Sequence, residues 1–256
     1  MEKVKLKFIL ITIGFYFVIT YCSVNQVIKL KFDGSADAKI EVTIQKVFMD
    51  YLFALAEIAG EDSLPAGVLF DVQEVEKAIT TRPGLNVNSI ENPKPEILKL
   101  DLSLEDVEKV FDTNSTDSEK TPATTESAEK TIVKPIISLT GTNQRTLNIH
   151  LDSSNYHQLT TLFPVLDNPL IASMGPQPNS IISESEYLEM MVFLLGENGP
   201  KAIKESEVNL TIKIEGSIVS HSDGELISSD SLLFKIPLLS ILVLNDPINY
   251  EIVFEK

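Results

Sequence analysis

Residues 27–44 read VIKLKFDGSADAKIEVTI, and the fold is decided there. Ile28, Leu30 and Phe32 alternate with Lys29 and Lys31. After Asp33-Gly34-Ser35, Ala38, Ile40, Val42 and Ile44 alternate with Lys39, Glu41 and Thr43. Alternation with a period of two sends apolar side chains to one face of a strand and charged ones to the other. Asp-Gly between two such runs is a hairpin turn. Strands of this kind are covered on one side and wet on the other, the signature of antiparallel sheet. The pattern recurs at Leu98, Leu100 and Leu102, at Leu147, Ile149 and Leu151, at Leu210, Ile212 and Ile214, and at Ile248, Tyr250, Ile252 and Phe254.

Helical spacing fills the gaps. Phe48, Tyr51, Leu52, Leu55 and Ile58 predict a helix over 47–59 that Gly60 stops, and Val72, Val75 and Ile79 predict another over 70–81, ending before Pro83-Gly84. Ser103 is expected to cap a short turn reaching Phe111, with Asp106 in the reciprocal position. Ser183 and Glu186 form a capping box, after which Tyr187, Met191, Leu194 and Leu195 face inward until Gly196 ends the helix. The expected architecture is α+β: an antiparallel sheet with helices packed on one face. Residues 113–131 replace apolar side chains with Thr, Ser, Glu, Lys and Asp, too little buried surface to offset chain entropy. They read as a disordered loop inserted in a single domain spanning 22–256, or as a linker between two domains.

Ahead of the strands lies an address. Lys3, Lys5 and Lys7 precede an uncharged apolar run from Phe8 to Val18, and polar residues begin at Asn25, the layout of a secretory signal peptide. The single Cys of the chain, Cys22, sits where the run ends. Ile19-Thr20-Tyr21-Cys22 resembles the lipobox of bacterial lipoproteins, although the residue before the Cys is normally smaller than Tyr21. That resemblance implies cleavage of residues 1–21 and an acyl anchor such as palmitate on Cys22. Two other outcomes stay open: cleavage after Cys22 gives a soluble exported protein, and retention of the run leaves an N-terminal signal anchor, since a span needs about 17–25 residues. The basic end stays cytoplasmic in each, so each exports the remainder to the extracytoplasmic side, in the cell envelope.

Charge and composition narrow the partners. The 256 residues carry 21 Lys and Arg against 37 Asp and Glu, a net charge of −16. Loss of 1–21 leaves 18 basic and 36 acidic residues, or −18. Nucleic acid is excluded as a partner because phosphate binding requires clustered cations, and anionic lipid is repelled. Attachment to a membrane must therefore come from acyl chains on Cys22, not from surface charge. One Cys excludes an internal disulfide scaffold or a thiolate cluster.

Catalytic sets are not evident. His150, His157 and His221 read as polar surface residues, and Asp33 and Asp37 flank a turn without the acidic ladder of a calcium loop. No Gly-x-Ser-x-Gly elbow or phosphate loop occurs. Glu184 and Glu186 are accounted for by helix capping and the helix dipole. The expectation is a non-enzymatic protein with no cofactor and no metal. The greasiest exported stretch covers Leu232-Leu233-Phe234 and 236–244. One reading is a buried strand followed by a core helix or turn. The other is that Phe234, Ile236, Leu239 and Leu242 line a cleft between layers that accepts an acyl chain.

The order of hairpin, helices, two strands and short helix resembles the LppM-like domain of bacterial envelope lipoproteins. The hairpin at 27–44 with Asp33-Gly34, the helical pair reaching Ile79, and Val208 to Gly216 followed by Ile218 and Gly224 carry that resemblance. Ser183 to Gly196 and Ile236-Pro237-Leu238-Leu239 are similar to spirochaetal lipoproteins. The family's late Trp has no counterpart, since this chain has no Trp. The resemblance implies an envelope lipoprotein whose domain binds lipid-like ligands, and it offers no catalytic residues. The expected function is thus a lipid-anchored, non-catalytic envelope protein binding a lipid, a glycolipid or an envelope protein. The alternative is a structural or surface-interaction lipoprotein without a small ligand.

Overall fold

The computed structural model describes residues 23–59, 70–111, 133–160, 174–176 and 181–256. Residues 1–22, with the signal segment and Cys22, and the loop expected at 113–131 lie outside the described residues.

The opening hairpin forms as its alternation dictates. Strand β1 (Ser23–Leu30) pairs antiparallel with β2 (Ala36–Thr43), bringing Ile28 opposite Ala38 and Leu30 opposite Ala36. At the turn, Asp33 accepts hydrogen bonds from the backbone and hydroxyl of Ser35 at 2.9 and 2.7 Å. Helix α1 (Lys46–Ala59) and helix α2 (Val72–Thr80) follow, the latter capped by Asp71, whose carboxylate accepts from the Gln73 and Glu74 amides. Strands β3 (Leu85–Lys94) and β4 (Ile97–Leu104) form a second hairpin, and β4 pairs with β2.

Ser103 does not cap the turn that reaches Phe111. It lies inside β4, where its hydroxyl donates to Asp37 at 3.2 Å and accepts from Asn88 at 2.9 Å. The cap is Asp106, which accepts from the Glu108 amide at 3.0 Å ahead of a 3-10 turn at Lys109–Phe111.

Strands β5 (Ile137–Thr140) and β6 (Gln144–Leu151) and the short helix α3 (His157–Thr160) come next. Then follow helices α4 (Glu184–Leu195) and α5 (Gly199–Lys204), and strands β7 (Glu207–Ile214), β8 (Ser217–His221), β9 (Glu225–Ser228) and β10 (Ser231–Pro237). Helix α6 (Leu238–Val243) and β11 (Ile248–Glu255) complete the chain. The capping box of α4 forms on both sides: the Glu186 amide donates to Ser183 Oγ, and the Ser183 amide donates to the Glu186 carboxylate. Tyr187, Met191 and Leu195 are buried as expected, but Leu194 is exposed and Leu188 takes its inward place.

The class is α+β. One sheet has seven strands in the order β3-β4-β2-β1-β7-β10-β9, and a second has four in the order β5-β6-β11-β8. Pairing is antiparallel except between β1 and β7, which run parallel with Ile28 beside Ile212 and Leu30 beside Ile214. That pair makes the larger sheet mixed, where local alternation pointed to antiparallel neighbours throughout.

The inward face of the larger sheet has two covers. Over β2, β3 and β4, helix α2 lays Val75 and Ile79 on Leu85, Leu98, Leu100 and Leu102, with Met49, Leu52 and Phe53 of α1 alongside. Over β1, β7 and β10 the smaller sheet packs Leu139, Leu147, Ile252 and Phe254 on Leu30, Leu210, Ile212, Leu232 and Phe234. The chain passes from one sheet to the other at Gly216, where φ is +132° and a Cβ would stand 2.0 Å from the Glu255 carbonyl oxygen. Only glycine fits so close a backbone approach. The outward face is charged: Lys39 pairs with Asp101 at 3.2 Å and Lys99 with Glu41 at 2.9 Å, each directly across the β2–β4 register.

Candidate functional site

The chain enters the larger sheet at the end that also carries the helices. Ser23 stands opposite Thr43 on one side and Glu207 on the other, and Glu207 stands opposite Pro237. From this end α1 leaves β2, α5 enters β7 and α6 leaves β10. A polar clamp ties the three together. The buried Ser206 hydroxyl donates to Ala202 O at 2.6 Å, Gln45 Nε2 donates to Ala202 O at 3.3 Å, and the Leu238 amide donates to Ser206 O at 2.9 Å. Around it Tyr187, Met191, Ile203, Leu239 and Val243 form a separate helical core. Tyr187 donates its hydroxyl to Met174 O at 2.7 Å, and burial, with Tyr156 adding to it, pushes its phenol far above the usual range.

At the same end, residues of β10, of β11 and of the β8–β9 turn line a depression of about 330 Å³. Ile236, Pro237, Ile248 and Tyr250 give it apolar walls, while Asp223 and Asn249 supply polar atoms. The Tyr250 ring stacks on Phe234 with centroids 4.1 Å apart. Burial raises the Tyr250 phenol pKa, and the Asp223 charge adds to that. Asn249 links the rim to a hydrogen-bonded turn, with Asn249 Oδ1 2.6 Å from His150 Nδ1 and Asp152 Oδ2 2.9 Å from His150 Nε2. Asn155, fully buried, donates to the carbonyls of Lys134 and His150. Burial raises the Asp152 pKa, but the Ser154 hydroxyl, the His150 ring and the amides of Ser154 and Asn155 outweigh it and hold it at about 2.

The four residues expected to line an acyl cleft are distributed. Ile236 lines the depression. Phe234 is 1% exposed between the two sheets and forms the floor under Tyr250. Leu239 and Leu242 belong to the helical core instead. So β10 is a buried strand and α6 a core helix over most of their length. Asp223, Asn249 and Tyr250 reach the depression from the β8–β9 turn and from β11, and local patterning does not join these segments. His150 is half-buried, with both ring nitrogens facing oxygens. Neither nitrogen is placed to take a proton from a nucleophile.

Among the described residues, no group of three or more His, Cys, Asp or Glu is arranged to hold a metal ion. Among the same residues, no helix is long and apolar enough to cross a membrane. The depression sets aliphatic and aromatic walls on one side against a carboxylate and an amide on the other.

No family model matches the chain, and no curated protein matches it. Among solved structures it is similar to the folded domain of LppM from Mycobacterium tuberculosis, at 9% identity and a TM-score of 0.39, over 93% of this chain and 94% of that one. An overlap that loose leaves function to be argued from the residues of the chain itself.

Proposed function

We propose that this is an exported envelope protein, held to the membrane by acyl groups on Cys22, whose domain binds the polar end of a lipid or glycolipid without catalysis. The observation that carries the reading is the signal layout ending at Cys22, one residue before β1. The depression lies at the same end of the sheet as Ser23, through the Ser23, Glu207 and Pro237 register. A domain tethered there holds that opening near the headgroups. Its mixed walls suit a sugar or headgroup with the first methylenes of a tail. Metabolic labelling with a palmitate analogue tests the tether: label is expected on the wild type and is lost in Cys22→Ala. Absence of label from both overturns it.

The second reading, a structural or surface-interaction lipoprotein, is favoured by the closure of the cores, since Phe234 and Leu239 are buried. Native mass spectrometry of protein extracted from membranes separates the two. A lipid retained beyond the covalent acyl groups supports the binding reading, and a bare protein supports the structural one.

A further inference from the structure

The depression beside β10 and β11 is one-sided in charge. Of its eight lining residues Asp223 is acidic and none is basic. Among the described residues no lysine or arginine forms an ion pair with Asp223. Its Oδ1 accepts the Gly224 amide at 2.7 Å, which leaves Oδ2 for a further partner. Lys235, next to Ile236, leaves β10 on the opposite face, because side chains alternate along a strand, and pairs with Glu225 at 3.4 Å. His221 is turned to the backbone, with Nδ1 2.9 Å from the Asp223 carbonyl oxygen. Two more carboxylates flank the lining: Glu207 stands opposite Pro237 in the β7–β10 register, and Asp246 immediately precedes Pro247. A phosphate or carboxylate entering here meets like charge. An ammonium group meets Asp223 between apolar walls, where the attraction is screened less than in open water.

Tyr250 adds a second attraction. Phe234 takes one face of its ring, with centroids 4.1 Å apart, and the remainder borders the depression. Burial and, after it, the Asp223 charge raise the Tyr250 phenol, so the carboxylate and the ring share one opening. An aromatic ring attracts a cation through its quadrupole, and an alkylated ammonium also lays methyl groups on apolar walls such as Pro237 and Ile248. A volume of about 330 Å³ is at the small end for ligand pockets, which suits a headgroup and not a long acyl chain.

We propose that the depression receives the ammonium group of a lipid headgroup, with Asp223 as counter-ion and Tyr250 and Pro237 as walls; this deepens the lipid-binding reading and rests on it. In a zwitterionic headgroup the phosphate, further along the molecule, stays on the solvent side.

The full chain, isotope-labelled and held in detergent micelles, is titrated with choline chloride and, separately, with ethanolamine hydrochloride. The amide signals of Asp223, Asn249 and Tyr250 are followed. Glycerophosphocholine supplies the headgroup without its tails, and myo-inositol and glycerol 3-phosphate are the neutral and anionic probes. Choline and glycerophosphocholine are expected to move the three signals, ethanolamine to move them at higher concentration, and the last two probes to leave them in place. Asp223→Asn keeps an acceptor for the Gly224 amide and should weaken choline binding at least about tenfold, through loss of a charged partner. Glu225→Gln removes an equal charge on the other face of the sheet and should leave choline binding within about twofold.

Binding of choline but not of glycerophosphocholine assigns the site to a free amine and overturns the headgroup. Movement by myo-inositol or glycerol 3-phosphate without choline overturns the ammonium assignment and leaves the lipid or glycolipid reading standing. Silence from every probe, or an Asp223→Asn variant that binds choline as the wild type does, also overturns it. The lipid retained in native mass spectrometry then judges the wider reading separately.

Discussion

The two halves of the inward face of the larger sheet carry the same pattern and meet different partners. On β4, Leu98, Leu100 and Leu102 alternate with charged residues and lie under α2. On β7, Leu210, Ile212 and Ile214 alternate in the same way and lie under the smaller sheet. Alternation declares that a face is buried, but not whether a helix or a sheet covers it. The difference lies in sequence distance. The cover of β4 is a helix that ends at Thr80, seventeen positions before β4 begins at Ile97, whereas the cover of β7 comes from β5, β6 and β11 on both sides of it. Nearby chain supplies local covers at low closure entropy; distant segments are selected by shape and by the area they bury.

The largest expected effect comes from truncating each half at its centre. Phe234→Ala should cost about 3–5 kcal/mol and Leu98→Ala about 2–5 kcal/mol, both read from urea midpoints. Because β2 contributes Ala36 to one core and Ala38 to the other, both variants should lower one shared transition. The comparison breaks if Phe234→Ala opens the amides of β5, β6 and β11 to hydrogen exchange while those of β3 and β4 stay protected.

Acid sharpens the same contrast with a smaller effect. The Asp152 pKa is about 2 in the folded chain against an ordinary 3.8. Its contribution is therefore complete above about pH 4 and is lost as pH falls through about 2, amounting to about 2 kcal/mol. Wild type should lose that much relative to Asp152→Asn between these pH values, with β6 amides exchanging before those of β4. Parallel stability curves for the two proteins would remove Asp152 as the acid-sensitive point.

The smallest effect lies on the wet face that both halves share. Glu41→Ala removes the partner of Lys99, whose pKa is raised by the hydrogen bond and charge of Glu41. The urea midpoint should move far less than in either core truncation, and any loss should vanish at high salt, because exposed pairs are screened. A salt-resistant loss as large as that of Leu98→Ala would mean that this face is covered.

Legibility follows the same physics. The 27–44 hairpin, the Leu98 to Leu102 strand and the Ser183–Glu186 box are read correctly because each depends on residues within one element or one turn. Ser103 followed by an acidic residue three positions on fits a helix start, yet Asp37 and Asn88 across the sheet hold its hydroxyl. Spacing alone points Leu194 inward, and the packing of α4 on three neighbours selects Leu188 instead. At the depression, Ile236 was legible as an apolar strand residue. Asn249, Asp223 and their neighbour His150 were not, since hydrogen bonds between β6, β11 and the β8–β9 turn assemble them.

By itself the sequence determined the period-two strands with one wet face, the capped helices and the acidic balance of charge, because each depends on composition or on neighbours along the chain. Tertiary structure alone decided that β1 and β7 run side by side in parallel, that a second sheet covers one half of the first, and that Phe193 is left facing solvent. Those outcomes rest on contacts between segments that are not neighbours along the chain, β1 and β7 being 184 positions apart, where buried area and fit, and not local preference, choose the partner.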